Sequence, residues 1–272
     1  MRPLPGRLVL LGHPVAHSLS PRFQNAALRR AGIPLVYEAI DVAPADLART
    51  LEELRSLGAA GNVTIPHKEA VASHCDELTP VARRAGAANT FWVEGGRLVG
   101  DNTDVGGFEA AVDGLLADAP GAARPRSIGL LGAGGSAAAV LVAVERWPGA
   151  QAAIFNRTPE RARALRDRFP HVARLASSPR EAVRGAQLIV NATPVGLAAD
   201  GMPIDPELVE AASRVIDLVY RPGGTAWVQA LLRRGIRAID GTTVLLEQGA
   251  LAFQRWFGLS PNRDAMRAAL TG

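Results

Sequence analysis

The sequence predicts an α/β protein built from two units. Short β-type runs alternate with helical segments along the chain. A stretch rich in chain breakers interrupts that alternation at residues 117–126, and a fresh strand–helix pattern then begins around a glycine-rich turn. A length of 272 residues accommodates two domains. Strand–helix alternation of this kind predicts parallel, right-handed α/β layers.

In the first unit, Arg7 to Leu11 reads as a strand, and Ser20-Pro21 gives an N-cap followed by proline at N1, opening a helix that Gly32 stops. Leu35 to Ile40 is a second strand, Ala45 to Leu57 a helix ended by Gly58, and the β-branched run Val63 to Ile65 a third strand with Lys68 opening the next helix. Thr79-Pro80 repeats the cap-and-proline signal. Thr90 to Val93 and Arg97 to Val99 flank Gly95-Gly96 and read as a hairpin. A helix from Asp104 to Leu116 leads into the connection carrying Pro120, Gly121 and Pro125. The second unit reads as strand 128–131, helix 136–146, strand 152–155 and helix 159–169, with further strands at 188–191 and 215–219. No internal repeat or low-complexity tract is present.

Composition excludes several classes. A 48% hydrophobic and 21% charged chain is that of an ordinary globular protein. The longest early apolar run, Leu8 to Leu11, is too short for a membrane span or a signal-peptide core. One cysteine, Cys75, allows no internal disulfide and fits a reducing, cytoplasmic setting. The net charge of +4 is modest, and no basic run exceeds two residues, so neither nucleic acid nor a membrane is an expected partner. His13, His17 and His67 lack a metal-ligand spacing and read as polar loop residues, so no metal site is expected.

"GAGGSA" places Gly132, Gly134 and Ala137 as G-x-G-x-x-A, directly after a strand and opening a helix. The first glycine permits the tight turn, the second lets the backbone approach a pyrophosphate, and the helix N-terminus supplies amides for the phosphates. Gly-rich turns of this kind also occur without ligands; the βαβ setting favours nucleotide binding. An NAD site would carry a carboxylate at the end of the next strand. Here the residues are Asn156, Arg157 and Thr158, with Arg161 one turn on. A guanidinium pairs with a 2′-phosphate, which favours NADP.

"GNVTIPHKEA" holds the single lysine of a chain with 29 arginines. Arginine stays protonated at any accessible pH, whereas a lysine amine can give up a proton and take it back. Lys68 is therefore a candidate for proton transfer, against the alternative of a residue left over from compositional drift. In "GHPVAHSLSP", Ser18 and Ser20 stand at a helix opening, where hydroxyls can receive a small carboxylate and Ser20 can serve as N-cap. "GAANT" places Asn89 before a strand, and "GDNTD" places Asp104 beside glycines.

These segments, with "NVTIPHK", "NRTPER", "NATPVG", "DLVYRP" and "EQGALAFQRW", occur in one order over essentially the whole chain. Together they resemble shikimate dehydrogenase. The resemblance implies NADP-dependent interconversion of 3-dehydroshikimate and shikimate. It also implies an α/β substrate-binding and catalytic domain at 1–104, completed by C-terminal helices at 242–272, and a Rossmann-like NADP-binding domain at 105–241.

Lys68 and Asp104 would then form the catalytic pair, the amine donating a proton to the developing alkoxide and Asp104 orienting it. Ser18 and Ser20 would hold the substrate carboxylate, and Thr64, Asn89, Tyr220 and Gln248 its hydroxyls or ring. Gly132, Ala133, Gly134, Gly135 and Ser136 would cradle the cofactor phosphates, and Asn156, Arg157, Thr158 and Arg161 the adenosine 2′-phosphate. Leu218 and Gly241 would lie near the nicotinamide. Monomer and homodimer both stay open. The chain departs from the family pattern in carrying Phe23-Gln24-Asn25 for the usual Met-His-Asn, and Pro80 where an acidic residue is common. Two other readings compete. One is a quinate or quinate/shikimate dehydrogenase. The other is a non-catalytic NADP(H)-binding regulator, which could dispense with Lys68 and Asp104.

Overall fold

The structure is a computed structural model describing residues 3–117 and 123–271. The chain divides into two compact units, one comprising residues up to Gly107 together with those from Leu245 onward, the other Phe108–Val244.

In the first unit the chain lays down β1 (Leu8–Gly12), α1 (Ser20–Ala31), β2 (Tyr37–Asp41), α2 (Leu47–Ser56), β3 (Ala60–Val63) and α3 (Lys68–His74). It continues through β4 (Glu77–Leu78), α4 (Pro80–Ala85), β5 (Thr90–Glu94), β6 (Arg97–Asp101) and the start of α5 (Asp104–Leu116). The six strands form one sheet in the order β2-β1-β3-β5-β6-β4. β1 pairs in parallel with both β2 and β3, so their carboxyl ends lie at one edge of the sheet. The expectation of parallel layers holds for β1, β2 and β3, and the sheet departs from it at β5. β5 runs antiparallel to β6 across the expected Gly95-Gly96 hairpin, and antiparallel to β3 on its other side.

Three local expectations are also corrected. The third strand is Ala60–Val63, not the β-branched run 63–65. Ala60, Gly61 and Asn62, weak strand formers, are buried between β1 and β5, while Thr64 to His67 folds into a turn in which the His67 amide donates to the Thr64 carbonyl (3.0 Å). Ser20 is not the N-cap of α1. The chain is already helical at Leu19 (φ −82°, ψ −7°), which takes that position, and the Ser20 amide donates instead to Ser18 Oγ (3.2 Å). The strand expected at 215–219 is β11 and closes at Asp217, whose carboxylate takes the Val219 amide (3.1 Å). By contrast, α3 opens at Lys68, and Thr79 Oγ1 caps α4 by accepting from the Ala82 amide (3.2 Å).

The second unit contains the rest of α5, then β7 (Ser127–Leu131), α6 (Gly135–Val144), β8 (Gln151–Phe155), α7 (Pro159–Arg168), β9 (Ala173–Leu175) and α8 (Pro179–Val183). β10 (Leu188–Asn191), β11 (Arg214–Asp217), α9 (Ala226–Arg233) and β12 (Arg237–Ile239) complete it. Its sheet is parallel throughout, in the order β12-β11-β10-β7-β8-β9. β9, β12, α8 and α9 are short elements that periodicity did not reveal, although Ser178-Pro179 and Thr225 supply caps for the two helices. The expected connection at 117–126 lies partly outside the described residues. α10 (Thr242–Phe257) carries the chain back into the first unit, where α11 (Arg263–Thr271) packs on α1. Each unit buries its own apolar core, around Leu51, Leu54, Phe91 and Leu98 in the first and Ile189, Val215, Trp227 and Leu231 in the second.

Candidate active site

The turn after β3 fixes Lys68. The Thr64 amide donates to Leu11 at the end of β1 (2.8 Å). His67 is buried, with its Nε2 2.7 Å from the Val42 carbonyl. His67 lies in the loop before α3, as read from the sequence, but as a buried residue rather than an exposed one. Its ring packs inward and anchors the first turn of α3, and adjacency to Lys68 is the signal that could have found it. The Lys68 carbonyl accepts from Ala88 (2.8 Å), which ties this turn to the segment holding Asn89.

Lys68 Nζ donates to Asp104 Oδ2 at 2.5 Å, with side chains 15% and 13% exposed. Asn89 Nδ2 donates to the other carboxylate oxygen of Asp104 (2.7 Å) and also faces Gln248 Oε1 and Thr103 Oγ1, each at 3.0 Å. Asn89 Oδ1 accepts from the Thr103 amide (2.7 Å), and the Asn89 carbonyl accepts from Val63 N (2.8 Å) and Asn62 Nδ2 (3.1 Å). Gln248, on α10, donates its own amide to Leu245 O (2.8 Å). Four residues far apart in sequence thus form one hydrogen-bonded cluster. The ammonium is held by a fixed carboxylate, an arrangement suited to stabilising and protonating an oxyanion. Asn62 and Thr103, which fix Asn89, were not singled out in the sequence.

Ser18 lies in the loop that follows β1, Ser20 opens α1 and Thr64 follows β3, with Ser20 buried and the other two half-buried. Asp41, at the end of β2, holds the loop leading to the serines. Its Oδ2 accepts from the Val15 amide (3.2 Å) and its Oδ1 lies 2.6 Å from His13 Nδ1. The His13 hydrogen bond keeps the Asp41 carboxyl below the usual range, against some opposition from burial. Gln24, one of the departures from the family pattern, is fully buried and donates to the Gly249 carbonyl (2.9 Å), next to Gln248.

In the second unit the glycine turn has the geometry of an anion cradle. Gly132 has φ +114°, and a Cβ there would come 2.7 Å from the Ala192 carbonyl oxygen. Glycine meets both demands. Gly134 is the N-cap of the ten-residue α6 with no side chain capping it, and its Cβ direction is open for 4 Å. Gly134 brings no side-chain cap to α6, and a glycine turn leading into a helix N-terminus fits a pyrophosphate. Ala133, Gly135 and Ser136 complete the turn and are half-buried. After β8, Asn156 Nδ2 donates to the Thr158 carbonyl (2.9 Å), while Arg157, Thr158 and Arg161 are exposed. Leu218 and Gly241 meet directly, since a Cβ on Gly241 would lie 2.3 Å from the Leu218 carbonyl oxygen. Tyr220 belongs to this second unit, whereas Lys68, Asp104, Asn89 and Gln248 belong to the first.

Among the described residues, no group of three or more His, Cys, Asp or Glu side chains could hold a metal ion, and no helix is long and apolar enough to cross a membrane. Burial pushes the Cys75 thiol up to about 12, with the Asp76 charge adding to the effect, which leaves it a poor nucleophile.

The model of the shikimate dehydrogenase substrate binding domain matches residues 10–91, and that of the shikimate 5′-dehydrogenase C-terminal domain matches residues 241–271. The NADP(+) shikimate dehydrogenase of Rubrobacter xylanophilus is 44% identical over 97% of this chain and 94% of its own length. The shikimate 5-dehydrogenase of Thermus thermophilus, solved with NADP(H) and shikimate, superposes with a TM-score of 0.84 at 39% identity, covering 97% of each chain. Quinate dehydrogenase of Corynebacterium glutamicum with NAD is more distant in sequence, with a TM-score of 0.86 at 29% identity and 97% of each chain covered. With relatives of such identity matching it nearly end to end, the chain belongs to the shikimate dehydrogenase family.

Proposed function

We propose that this protein is an NADP-dependent oxidoreductase acting on a CH–OH group, which reversibly reduces 3-dehydroshikimate to shikimate in aromatic amino-acid biosynthesis. The observation that carries the reading is the Lys68–Asp104 pair locked to Asn89 and Gln248. A non-catalytic nucleotide-binding protein has no need of that cluster. The named activity of the Rubrobacter relative and the ligands of the Thermus structure support the substrate and cofactor.

In this reading the first unit binds substrate and the second binds cofactor. Ser18 and Ser20 receive the carboxylate, and Thr64, Asn89, Gln248 and Tyr220 read the hydroxyls and ring. Lys68 Nζ donates a proton to the oxygen of the ketone as it becomes a hydroxyl, and takes one back in the oxidative direction. Asp104 holds the amine, and Asn89 holds Asp104. NADPH, when bound, supplies the hydride. Gly132, Ala133, Gly134, Gly135 and Ser136 bind its phosphates, and Asn156, Arg157, Thr158 and Arg161 the adenosine 2′-phosphate. Leu218 and Gly241 border its nicotinamide.

The test is a spectrophotometric assay of purified protein with shikimate or quinate, each paired with NADP⁺ or NAD⁺. Turnover that is fastest with shikimate and NADP⁺ is expected. Faster turnover with quinate would move the assignment to quinate dehydrogenase, a named relative on this fold. No turnover with any pair would refute it.

A further inference from the structure

At the carboxyl end of the second sheet, Asn191 closes β10 and Asp217 closes β11, directly opposite each other in the parallel register. Both side chains are fully buried. Asp217 is a carboxylate in an apolar setting, and burial pushes its pKa up. Three donors satisfy it. Asn191 Nδ2 donates to Oδ1 (2.8 Å), the Val219 amide donates to Oδ1 (3.1 Å), and Thr225 Oγ1 donates to Oδ2 (2.8 Å).

Each donor holds a different piece of chain. Asn191 turns its own Oδ1 to the Thr193 amide (3.0 Å) and hydroxyl (2.6 Å), which shapes the segment after β10. Val219 lies between Leu218 and Tyr220, and its carbonyl accepts from the Gly241 amide (2.9 Å). Thr225 caps α9 by accepting from Val228 N (3.3 Å), which closes the loop that begins at Leu218. One buried carboxylate therefore sets the backbone of 191–195, 218–220 and, through Val219, 241. Asn191 and Asp217 open the motifs "NATPVG" and "DLVYRP", yet neither residue has a task in the sequence pattern alone.

We propose that Asp217 is a positioning residue for the reaction, its buried carboxylate gathering Asn191, Val219 and Thr225 to fix the backbone on which Leu218, Tyr220 and Gly241 stand. The inference rests on the proposed function, in which those three residues border the nicotinamide and substrate ring. Fixed loops matter there because a small misplacement of reacting groups is costly in rate.

The test is Asp217→Asn, which preserves shape and removes an acceptor. With the new amide nitrogen towards Thr225 the hydroxyl must turn from donor to acceptor, and with the nitrogen on the other side it opposes the Asn191 and Val219 donors, so the three bonds to a charged carboxylate cannot all be kept. Three quantities are compared with wild type: kcat, the Kd of NADPH, and the Kd of adenosine 2′,5′-bisphosphate, a fragment that reaches only the glycine turn and the Asn156–Arg161 segment. The expected result is a fall of roughly 10–100-fold in kcat. NADPH affinity should weaken and the KM for shikimate should rise through Tyr220, while fragment affinity should stay within about twofold.

If Asp217→Asn fails to fold, Thr225→Val carries the same comparison by deleting one donor, and Thr225→Ser, which restores the hydroxyl, should recover the rate. Equal weakening of NADPH and of the fragment, or a folded variant with wild-type kcat and NADPH affinity, would overturn the positioning role. A wild-type protein that binds neither nucleotide would instead refute the cofactor reading on which the proposal rests.

Discussion

Replacing Lys68 by arginine separates charge from proton transfer. The Nζ lies 2.5 Å from Asp104 Oδ2, and the two side chains are 15% and 13% exposed, so the pair is largely withdrawn from water. Arginine keeps the positive charge, and Asp104 retains its hydrogen bond from Asn89 Nδ2 at 2.7 Å. The carboxylate is therefore never left buried without a cation, and the 3–5 kcal/mol or so that follows removal of one partner of a buried pair should not appear. Crowding by the larger planar fork costs about 1–3 kcal/mol, a loss of a few degrees in Tm. Turnover should respond on another scale. A guanidinium does not exchange a proton usefully at neutral pH, and loss of general acid–base catalysis costs roughly 10²–10⁴ in kcat, or about 2.7–5.4 kcal/mol of barrier. The experiment measures kcat with shikimate and NADP⁺, shikimate affinity by calorimetry, and Tm. The expected pattern is a large fall in kcat with a small change in Tm and nearly unchanged NADP⁺ binding. A Lys68→Arg enzyme with near-wild-type turnover would refute proton transfer by Lys68 and leave it a charge-balancing residue.

Arg157→Ala should raise the KM for NADP⁺ far more than that for NAD⁺, by the worth of a charge-assisted hydrogen bond, about 1.5–3 kcal/mol. Equal effects on the two cofactors would show that the exposed Arg157 does not read the 2′-phosphate. The double variant Ser18→Ala/Ser20→Ala should weaken shikimate binding by at least about tenfold, the loss of more than one hydrogen bond to a carboxylate, and leave NADP⁺ binding intact; unchanged shikimate affinity in a folded variant would remove the serines from the site. Cys75 should resist a disulfide titrant at pH 8 in the native protein and react fully once denatured, because its thiol is raised from 9.0 to about 12. With the folded pKa above the unfolded one, its contribution to stability is complete below about pH 9 and is lost as pH rises towards 12. Rapid native labelling at pH 8 would contradict the burial.

What the sequence determined is what short-range physics decides. The Gly132 turn follows from the backbone angles a strand-to-helix turn over phosphates requires, and its φ of +114° is one glycine tolerates. The Thr79-Pro80 cap and the Gly95-Gly96 hairpin are likewise local, and the structure has both. Lys68 stood out by chemistry alone, as the one exchangeable cation among arginines. Other features depended on contacts between distant residues. Ala60 to Val63 is a strand because β1 and β5 flank it, not because its residues favour one, and the β-branched run beyond it turns away. Asn89 is joined to Gln248 across 159 residues, and His67 is a buried anchor because Val42 offers its carbonyl. Asn191 and Asp217 become partners only when two strands 26 residues apart align in register. A propensity belongs to a residue and its near neighbours, whereas burial and hydrogen-bond partnership belong to the packed sheet. Tertiary structure alone therefore decided which polar side chains would be buried together.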